Sequence, residues 1–244
     1  MLRRRVWRIA HRGASGYAPE HTRAAFHLAL RHAADWIECD ARLTADERPV
    51  LWHDAQVDRT SDGSGRLRDL TWRQLRRLDC GSWFHRRFAG ERALTLEEAL
   101  RVVRGRARLH VEIKTDERAA PAALAGPIVR CLQRRRAEDQ VILSSFDERI
   151  IAWIRRRAPR FRCAVITARQ PVRALRAAAR LQAVAVHPLA SLAHPAFVRR
   201  AHALGLTVNV WTLDRPWFIR AALARGADGV VSNRPDRVPR WWPT

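Results

Sequence analysis

The sequence predicts an α/β protein with the architecture of a (β/α)₈ TIM barrel that carries a small insertion between the second strand and the following helix. Short apolar runs alternate with amphipathic stretches along most of the chain, and this alternation is typical of a parallel sheet. Eight such repeats fit within 244 residues, which is the usual size of one closed barrel. The long interval between the second and third strands contains a further strand-like run and predicts the insertion.

The barrel strands are predicted from apolar runs of strand length, and the helices from apolar residues at helical spacing, such as Ala25, Leu28 and Ala29. The predicted strands are residues 6–10, 36–40, 109–114, 141–144, 163–166, 183–186, 207–211 and 229–231. The predicted helices are residues 22–33, 96–103, 122–135, 148–157, 172–179, 196–203 and 216–224. We expect residues 1–244 to form a single domain.

The insertion is predicted to cover residues 41–94. Within it, residues 50–53 have the pattern of a strand, and nine residues separate them from the second barrel strand. A parallel crossover needs a dozen or more residues, so this extra strand must be antiparallel or lie outside the barrel. The C-terminal residues 234–244 are expected to close the bottom or the edge of the barrel.

The composition narrows the class of protein. The net charge of +22 raises the hypothesis of a nucleic-acid partner, but the arginines are spread over every segment, so we expect none. No apolar run reaches the roughly 18 residues of a membrane helix, and the N-terminus lacks the apolar core of a signal peptide. We therefore expect a cytoplasmic protein with at most peripheral membrane contact. The four cysteines have no C-x-x-C spacing and are predicted to be free buried thiols.

Catalytic groups of such barrels come from the C-terminal ends of the strands, and polar residues follow the first predicted strand there. His11 can transfer protons near neutral pH, and Arg12 can make two hydrogen bonds to a phosphate. A surface turn is the alternative interpretation.

Carboxylates end the second and third predicted strands. Glu38 and Asp40 are two residues apart and therefore face the same side of the strand, and the same holds for Glu112 and Lys114. Because these strands are expected to be neighbours, three carboxylates can converge on a divalent cation, and an all-oxygen set suits Mg²⁺ or Ca²⁺. A solvated strand end, or a structural ion pair between Glu112 and Lys114, is the alternative.

Lys114 is singled out by composition as well as by position. Of the 46 basic residues, it is the one lysine, and all the others are arginine. Where arginine fills positions that need only a positive charge, a retained lysine indicates a position that requires a compact ammonium group. Lys114 is expected to balance the carboxylates and to hold an anionic oxygen.

Further candidates follow later strands. His53 precedes Asp54 at the end of the extra strand and is a second histidine that the insertion can bring to the barrel mouth. Phe146 and Trp211 are candidates for an apolar wall of the pocket, with core packing as the alternative for Phe146. The remaining histidines singled out are expected to be on the surface or hydrogen-bonded: His21, His110, His187, His194 and His202.

The ordered motifs resemble the glycerophosphodiester phosphodiesterase family. The resemblance is carried by AHRGASGYAPEHTRAAF, ADWIECDARLTADERPVLWHD, DRTSDGSGRLRDLT, LHVEIK, SSF and VWTLD, which together span nearly the whole chain. It implies a (β/α)₈ barrel and metal-dependent hydrolysis of glycerophosphodiesters to glycerol 3-phosphate and an alcohol. The attacking hydroxyl is either water or the neighbouring glycerol hydroxyl of the substrate.

The resemblance also implies a role for each matched position. By this similarity, His11 and His53 form the acid/base pair, and Arg12 and Lys114 contact the phosphate. The implied metal ligands are Glu38, Asp40 and Glu112.

Two positions depart from the family pattern. His21 replaces an asparagine that would suit a helix cap, and Asn233 replaces an aspartate, which removes one charge from the barrel mouth. Two other functions remain open: a lysophospholipase D acting on lipid-tailed diesters, and a non-catalytic protein that binds phosphate or nucleic acid.

Overall fold

Eight parallel strands form a closed barrel in the computed structural model, which describes residues 3–115 and 119–243. The strands, numbered along the chain, are β1 (Arg3–Arg5), β2 (Trp7–His11), β3 (Trp36–Leu43), β4 (Pro49–Leu51), β5 (Arg108–Ile113), β6 (Val141–Ser145), β7 (Arg162–Thr167), β8 (Ala185–Pro188), β9 (Thr207–Val210), β10 (Gly229–Ser232) and β11 (Trp241–Pro243). The barrel runs from β2 through β3 and then β5 to β10, and a parallel pairing between β10 and β2 closes it. The predicted TIM barrel is confirmed.

The seven helices that the sequence predicts are present, and a further short helix, the second along the chain, lies in the insertion. They are α1 (Arg23–Arg31), α2 (Trp72–Leu75), α3 (Leu96–Val103), α4 (Pro121–Arg134), α5 (Glu148–Arg157), α6 (Pro171–Arg180), α7 (Pro195–Ala203) and α8 (Pro216–Ala224). Side-chain caps set several of the starts. Thr95 and Glu98 form a reciprocal capping box at α3, and the Asp147 side chain accepts from the backbone N–H of Arg149 at α5. Differences from the predicted bounds are one or two residues at most ends, where local capping decides.

The hydrophobic core lies mainly between the strands and the surrounding helices. Residues at alternate positions of β3, such as Ile37 and Cys39, are fully buried against the inner faces of α1, α3 and α4. A corresponding cluster under α6, α7 and α8 covers β8 to β10. Since alternate residues of a strand face opposite sides, packing Cys39 outward points Glu38 and Asp40 into the barrel.

The insertion follows β3 and packs above the barrel. β3 extends to Leu43 and turns back into β4, which pairs antiparallel with it in the register Ala41 to Leu51. The segment has a small core of its own, which includes Val50, Trp52 and Leu75. The extra strand expected at residues 50–53 occurs at Pro49–Leu51 and is antiparallel, and the hydrogen bond from the Trp52 N–H to the Asp40 carbonyl continues the pairing one residue beyond it. That residues 1–244 form a single domain remains a prediction.

The two ends of the described chain meet below the barrel. β1 pairs antiparallel with β11, and the side chain of Arg8 donates a hydrogen bond to the carbonyl of Val238 at 2.8 Å. The tail thus lies at the N-terminal end of the barrel, as expected.

All four cysteines are buried and free. Across residues 3–115 and 119–243, no helix is both long and apolar enough to cross a bilayer.

Two imidazoles stack inside the barrel. The rings of His110 and His187 are 4.9 Å apart and nearly parallel, and the side-chain amide of Asn209 lies 3.2 Å from His187 Nε2. The expectation for His110 is wrong: it is buried, and its Nδ1 has no hydrogen-bond partner. Its neighbour on the other side, Trp36, offers an aromatic surface at 4.5 Å instead of a polar group.

The buried His187 should make stability sensitive to acid. Burial lowers its pKa from 6.5 to about 4, so between these values the unfolded chain binds a proton that the folded chain does not. Stability is therefore present above pH 6.5 and falls with the pH down to about 4, and going from pH 7 to pH 5 should cost about 2 kcal/mol from this group. His11 and His110, whose pKa values are also lowered by burial, add to this loss, so urea unfolding at both pH values should show a smaller loss for His187→Gln than for the wild-type protein. An equal acid sensitivity in the variant would contradict the assignment.

Candidate active site

Three carboxylates from β3 and β5 converge at the C-terminal end of the barrel. β3 and β5 pair in parallel with Asp40 opposite Glu112, and Glu38 lies one inward position before Asp40. One oxygen from each of the three side chains lies within 4.8 Å of the others. Strand pairing and the two-residue period thus bring together all three predicted metal ligands.

Two cations balance this acidic cluster. Lys114 Nζ lies 3.2 Å from Asp40 Oδ1 and 2.8 Å from Glu112 Oε1. Arg12 Nε lies 3.1 Å from Asp40 Oδ2, and its Nη1 donates to Glu20 Oε1 at 3.0 Å. The alternative ion pair between Glu112 and Lys114 therefore exists, but it is part of a network centred on Asp40.

The carboxylates respond differently to this environment. Burial and the nearby charge of Asp40 raise the pKa of Glu38, and the same two causes raise the pKa of Glu112 to about 7. Burial also acts to raise the pKa of Asp40, but His21, Lys114 and Arg12 hold it well below its usual range. One carboxylate is thus firmly ionised, and its two neighbours hold protons more readily, as expected where like charges crowd together.

The donor set fits a hard divalent cation. All three groups are carboxylates, the ligands that Mg²⁺ and Ca²⁺ prefer. Asp40 Oδ2 is buried without a hydrogen-bond partner, although Arg12 Nε and His21 Nε2 lie 3.1 and 3.3 Å from it. A buried carboxylate oxygen without a partner is costly, and a cation between the three side chains would satisfy it.

His11 ends β2 beside this cluster. Its Nε2 lies 3.9 Å from Glu38 Oε2, and its Nδ1 lies 2.6 Å from Asn233 Oδ1. The amide nitrogen of Asn233 donates to Asp214 Oδ2 at 2.7 Å, which fixes the amide oxygen toward the histidine. His11 Nδ1 is then the donor, so the neutral ring leaves Nε2 as a free acceptor. Burial and the charge of Arg12 lower the pKa of His11 to about 4.

The insertion carries His53 to the same end of the barrel. The backbone N–H of Trp52 donates to the carbonyl of Asp40 at 2.9 Å, which ties the segment to β3. His53 Nδ1 lies 2.6 Å from Asp54 Oδ1, and Asp54 is held by Arg59 at 2.5 Å. Burial lowers the pKa of His53. The charges of Arg12 and Lys114 lower it further, and the charge of Asp40 opposes them. The two histidines thus differ in partner: one has an amide and the other has a carboxylate.

Residues 12–22 adopt a turn with unusual backbone angles. Gly13 has a φ of 85°, and a side chain there would lie 2.8 Å from the backbone of Ala25, so only glycine fits. His21 has a φ of 60° and accepts a hydrogen bond from the backbone N–H of Asp40 at 3.1 Å. The expectation that position 21 caps the helix is wrong, because the Thr22 side chain caps α1. Asparagine tolerates this left-handed region well, which explains the family pattern.

Comparison with known proteins identifies the family. A model of the glycerophosphoryl diester phosphodiesterase family matches residues 11–237. The chain belongs to this family. As a member, it is a phosphoric diester hydrolase, and the resemblance seen in its motifs is confirmed.

Two relatives of this phosphodiesterase and one solved structure match along nearly their whole length. The glycerophosphodiester phosphodiesterase of Caldanaerobacter subterraneus subsp. tengcongensis is 32% identical over 231 residues, covering 94% of this chain and 95% of the relative. The Bacillus altitudinis enzyme of the same name is 30% identical, with 94% and 95% covered. Among solved structures, an Oleispira antarctica phosphodiesterase in complex with the product sn-glycerol-3-phosphate is 28% identical, has a TM-score of 0.89 and shares 94% coverage of both chains.

An aromatic pair lies at the mouth of the phosphodiesterase barrel. Phe146 and Trp211 contact edge to face, with ring centres 5.7 Å apart, and the indole N–H of Trp211 donates to the carbonyl of His187 at 2.8 Å. Phe146 is 43% exposed, so core packing, the alternative for this residue, does not apply. The pair forms an apolar surface at the ends of β6 and β9.

Sequence reasoning missed the residues that orient the two histidines. Asn233 removes a charge from the family pattern, but a carboxylate is still linked to His11, because the amide nitrogen of Asn233 donates to Asp214. Ser15 Oγ donates to the amide oxygen of Asn233 at 2.7 Å. Glu20 links the two arginines of the site, Arg12 and Arg59. These contacts join loops after different strands, so no local spacing pattern could have revealed them.

Proposed function

We propose that this phosphodiesterase hydrolyses glycerophosphodiesters to glycerol 3-phosphate and an alcohol, in a reaction that depends on a divalent cation. The observation that carries the proposal is the meeting of three carboxylates with two histidines at one end of the barrel. Its substrate class is supported by the relatives, which are named glycerophosphodiester phosphodiesterases, and by the Oleispira antarctica complex with sn-glycerol-3-phosphate.

In this proposal Glu38, Asp40 and Glu112 hold the cation, which is Mg²⁺ or Ca²⁺. Bound there, a divalent cation supplies charge that neutralises the phosphate and lowers the pKa of an attacking hydroxyl. Arg12 and Lys114 hold the phosphate oxygens by charge-assisted hydrogen bonds. Phe146 and Trp211 contact the apolar face of the substrate.

The histidines divide the proton transfers according to their partners. His11, whose Nδ1 donates to a neutral amide, stays neutral and accepts the proton of the attacking hydroxyl at Nε2. His53 is paired with the carboxylate of Asp54, which stabilises an imidazolium, and it donates its proton to the departing alcohol oxygen. Water and the neighbouring glycerol hydroxyl of the substrate are both compatible attacking groups.

The proposal is tested by turnover of glycerophosphocholine with and without EDTA. We expect glycerol 3-phosphate to form when Mg²⁺ or Ca²⁺ is present, and to stop forming when the chelator is in excess. Restoring the cation should restore the activity. Full turnover in excess EDTA would overturn the metal dependence, and absence of turnover with either cation would overturn the substrate class.

Replacing Glu112 should weaken cation binding directly. Glu112→Gln removes one anionic ligand, and we expect the dissociation constant for Ca²⁺ to rise by about tenfold or more, since one lost charge-assisted contact is worth roughly 1.5–3 kcal/mol. Isothermal titration of the protein with Ca²⁺ measures this without substrate. Glu138→Gln, which removes the same charge from the loop between α4 and β6, should leave the constant unchanged.

A second candidate is a lysophospholipase D, and exposed aromatic side chains favour it. Trp217 and Phe218, at the start of α8, are more than half exposed, and with Phe146 they offer apolar surface at the end of the barrel that holds the carboxylates. Turnover of lysophosphatidylcholine should be compared with turnover of glycerophosphocholine. Activity on the lysolipid alone would replace the first candidate by the second.

A further inference from the structure

A cleft opens at the opposite end of the barrel from the carboxylates. It has a volume of about 830 Å³ and lies beside the first residues of β2, β3 and β5, under the turn that follows α3. Trp36, which lines it, is four residue steps along β3 from Asp40, or roughly 13 Å. The proposed reaction uses none of its residues.

The cleft carries an excess of positive charge. One acidic side chain lines it, Asp35, and this carboxylate already accepts from Arg5 at 2.5 Å and from the backbone N–H of Arg8 at 3.0 Å. Five arginines line it: Arg5, Arg104, Arg106, Arg108 and Arg240. Within residues 3–115 and 119–243, the last four have no carboxylate within 4 Å. Positive charges that line one cleft repel one another, and an anion bound among them would offset this repulsion.

Two tryptophans hold part of this charge in place. The guanidinium of Arg5 stacks over Trp7 at 4.8 Å, and that of Arg108 stacks over Trp36 at 5.5 Å. The two indoles contact each other edge to face at 6.4 Å. Stacking uses the flat faces of a guanidinium and leaves its N–H groups at the edge free. The cleft thus presents partly ordered donors, which reduces the entropy lost when a ligand binds.

We infer that this cleft is a binding site for a small anion that carries two or more phosphate charges. Arginine presents paired N–H donors that match phosphate oxygens, and several such groups face one concavity here. A cleft of this volume is of the size that encloses small ligands, whereas a nucleic-acid backbone requires an extended basic surface. The site is separate from the catalytic one and binds its ligand without a divalent cation.

The test is isothermal titration with inorganic pyrophosphate in the presence of EDTA, which keeps divalent cations away from the carboxylates. We expect the wild-type protein to bind, and Arg106→Gln with Arg108→Gln to weaken binding by about a hundredfold or more, because two charge-assisted hydrogen bonds are lost. The matched control is Arg199→Gln with Arg200→Gln. It removes two exposed arginines from α7 and should change binding by less than twofold.

The outcomes separate a built site from general attraction to a basic protein. No binding of pyrophosphate by the wild type, or equal weakening by both double variants, would overturn the inference. A parallel sedimentation assay with phosphatidylglycerol–phosphatidylcholine vesicles identifies the source of the ligand. Vesicle binding that only the cleft variant loses, without binding of free pyrophosphate, would overturn the inference in favour of a lipid surface, because each phosphatidylglycerol headgroup carries one phosphate charge. Turnover of glycerophosphocholine should be the same in all three proteins, so this test stands apart from that of the proposed function.

Discussion

Replacing His11 or His53 by alanine should lower kcat for glycerophosphocholine by roughly 10²–10⁴-fold, the usual contribution of a positioned acid or base. Each ring is fixed through Nδ1, His11 by Asn233 and His53 by Asp54, so that Nε2 is the atom left for proton transfer. Steady-state kinetics measures the loss. Circular dichroism and urea unfolding should show that the fold persists, because neither side chain belongs to the hydrophobic core.

The two histidines can be told apart by the leaving group. A diester of p-nitrophenol releases a stable anion that needs no proton, so His53→Ala should lose far less activity on it than on glycerophosphocholine. His11→Ala should lose activity on both, because the attacking hydroxyl still needs a base. The matched control is His202→Ala, which removes a histidine that pairs with Asp228 on the outside of α7 and should keep the wild-type rate. Losses of the same size for His11→Ala and His53→Ala on the p-nitrophenol diester would contradict the division of roles.

The parts of the site that the sequence predicts are those set by strand periodicity. Glu38 and Asp40 had to share a face because they are two residues apart, and parallel pairing of β3 with β5 then brought Glu112 to them. The same regularity predicted the barrel itself. Each of these statements depends on backbone geometry that repeats along the chain, and such geometry can be derived without knowing any particular contact.

The parts that could not be predicted depend on loops that meet only in three dimensions. Asp214 and Asn233 follow different strands and orient a histidine more than 200 residues away in sequence. Glu20 and Arg59 connect the turn after β2 with the insertion. His110 was misjudged for a related reason: the barrel interior, which surrounds it with Trp36 and His187, exists only once all eight strands close.

The position of Lys114 predicts that arginine cannot replace it. Its ammonium lies between Asp40 Oδ1 and Glu112 Oε1, at 3.2 and 2.8 Å, and its side chain is only 13% exposed. A guanidinium is larger and planar and presents its donors in a fixed fork, so it would displace one of the carboxylates or block the phosphate. We expect Lys114→Arg to lower kcat/KM by about 10²-fold or more, the usual cost of one electrostatic donor at a reacting group.

A comparison with Lys114→Met separates charge from shape. If shape matters as well as charge, both variants lose activity to a similar extent, and arginine gives little rescue over methionine. Near-normal kcat/KM for Lys114→Arg would mean that any positive charge suffices, and the single lysine among 46 basic residues would then carry no information about function. Unfolding with and without Ca²⁺ adds an independent measure. Removing the ammonium leaves the carboxylates facing one another, so Ca²⁺ should stabilise Lys114→Met more than it stabilises the wild-type protein.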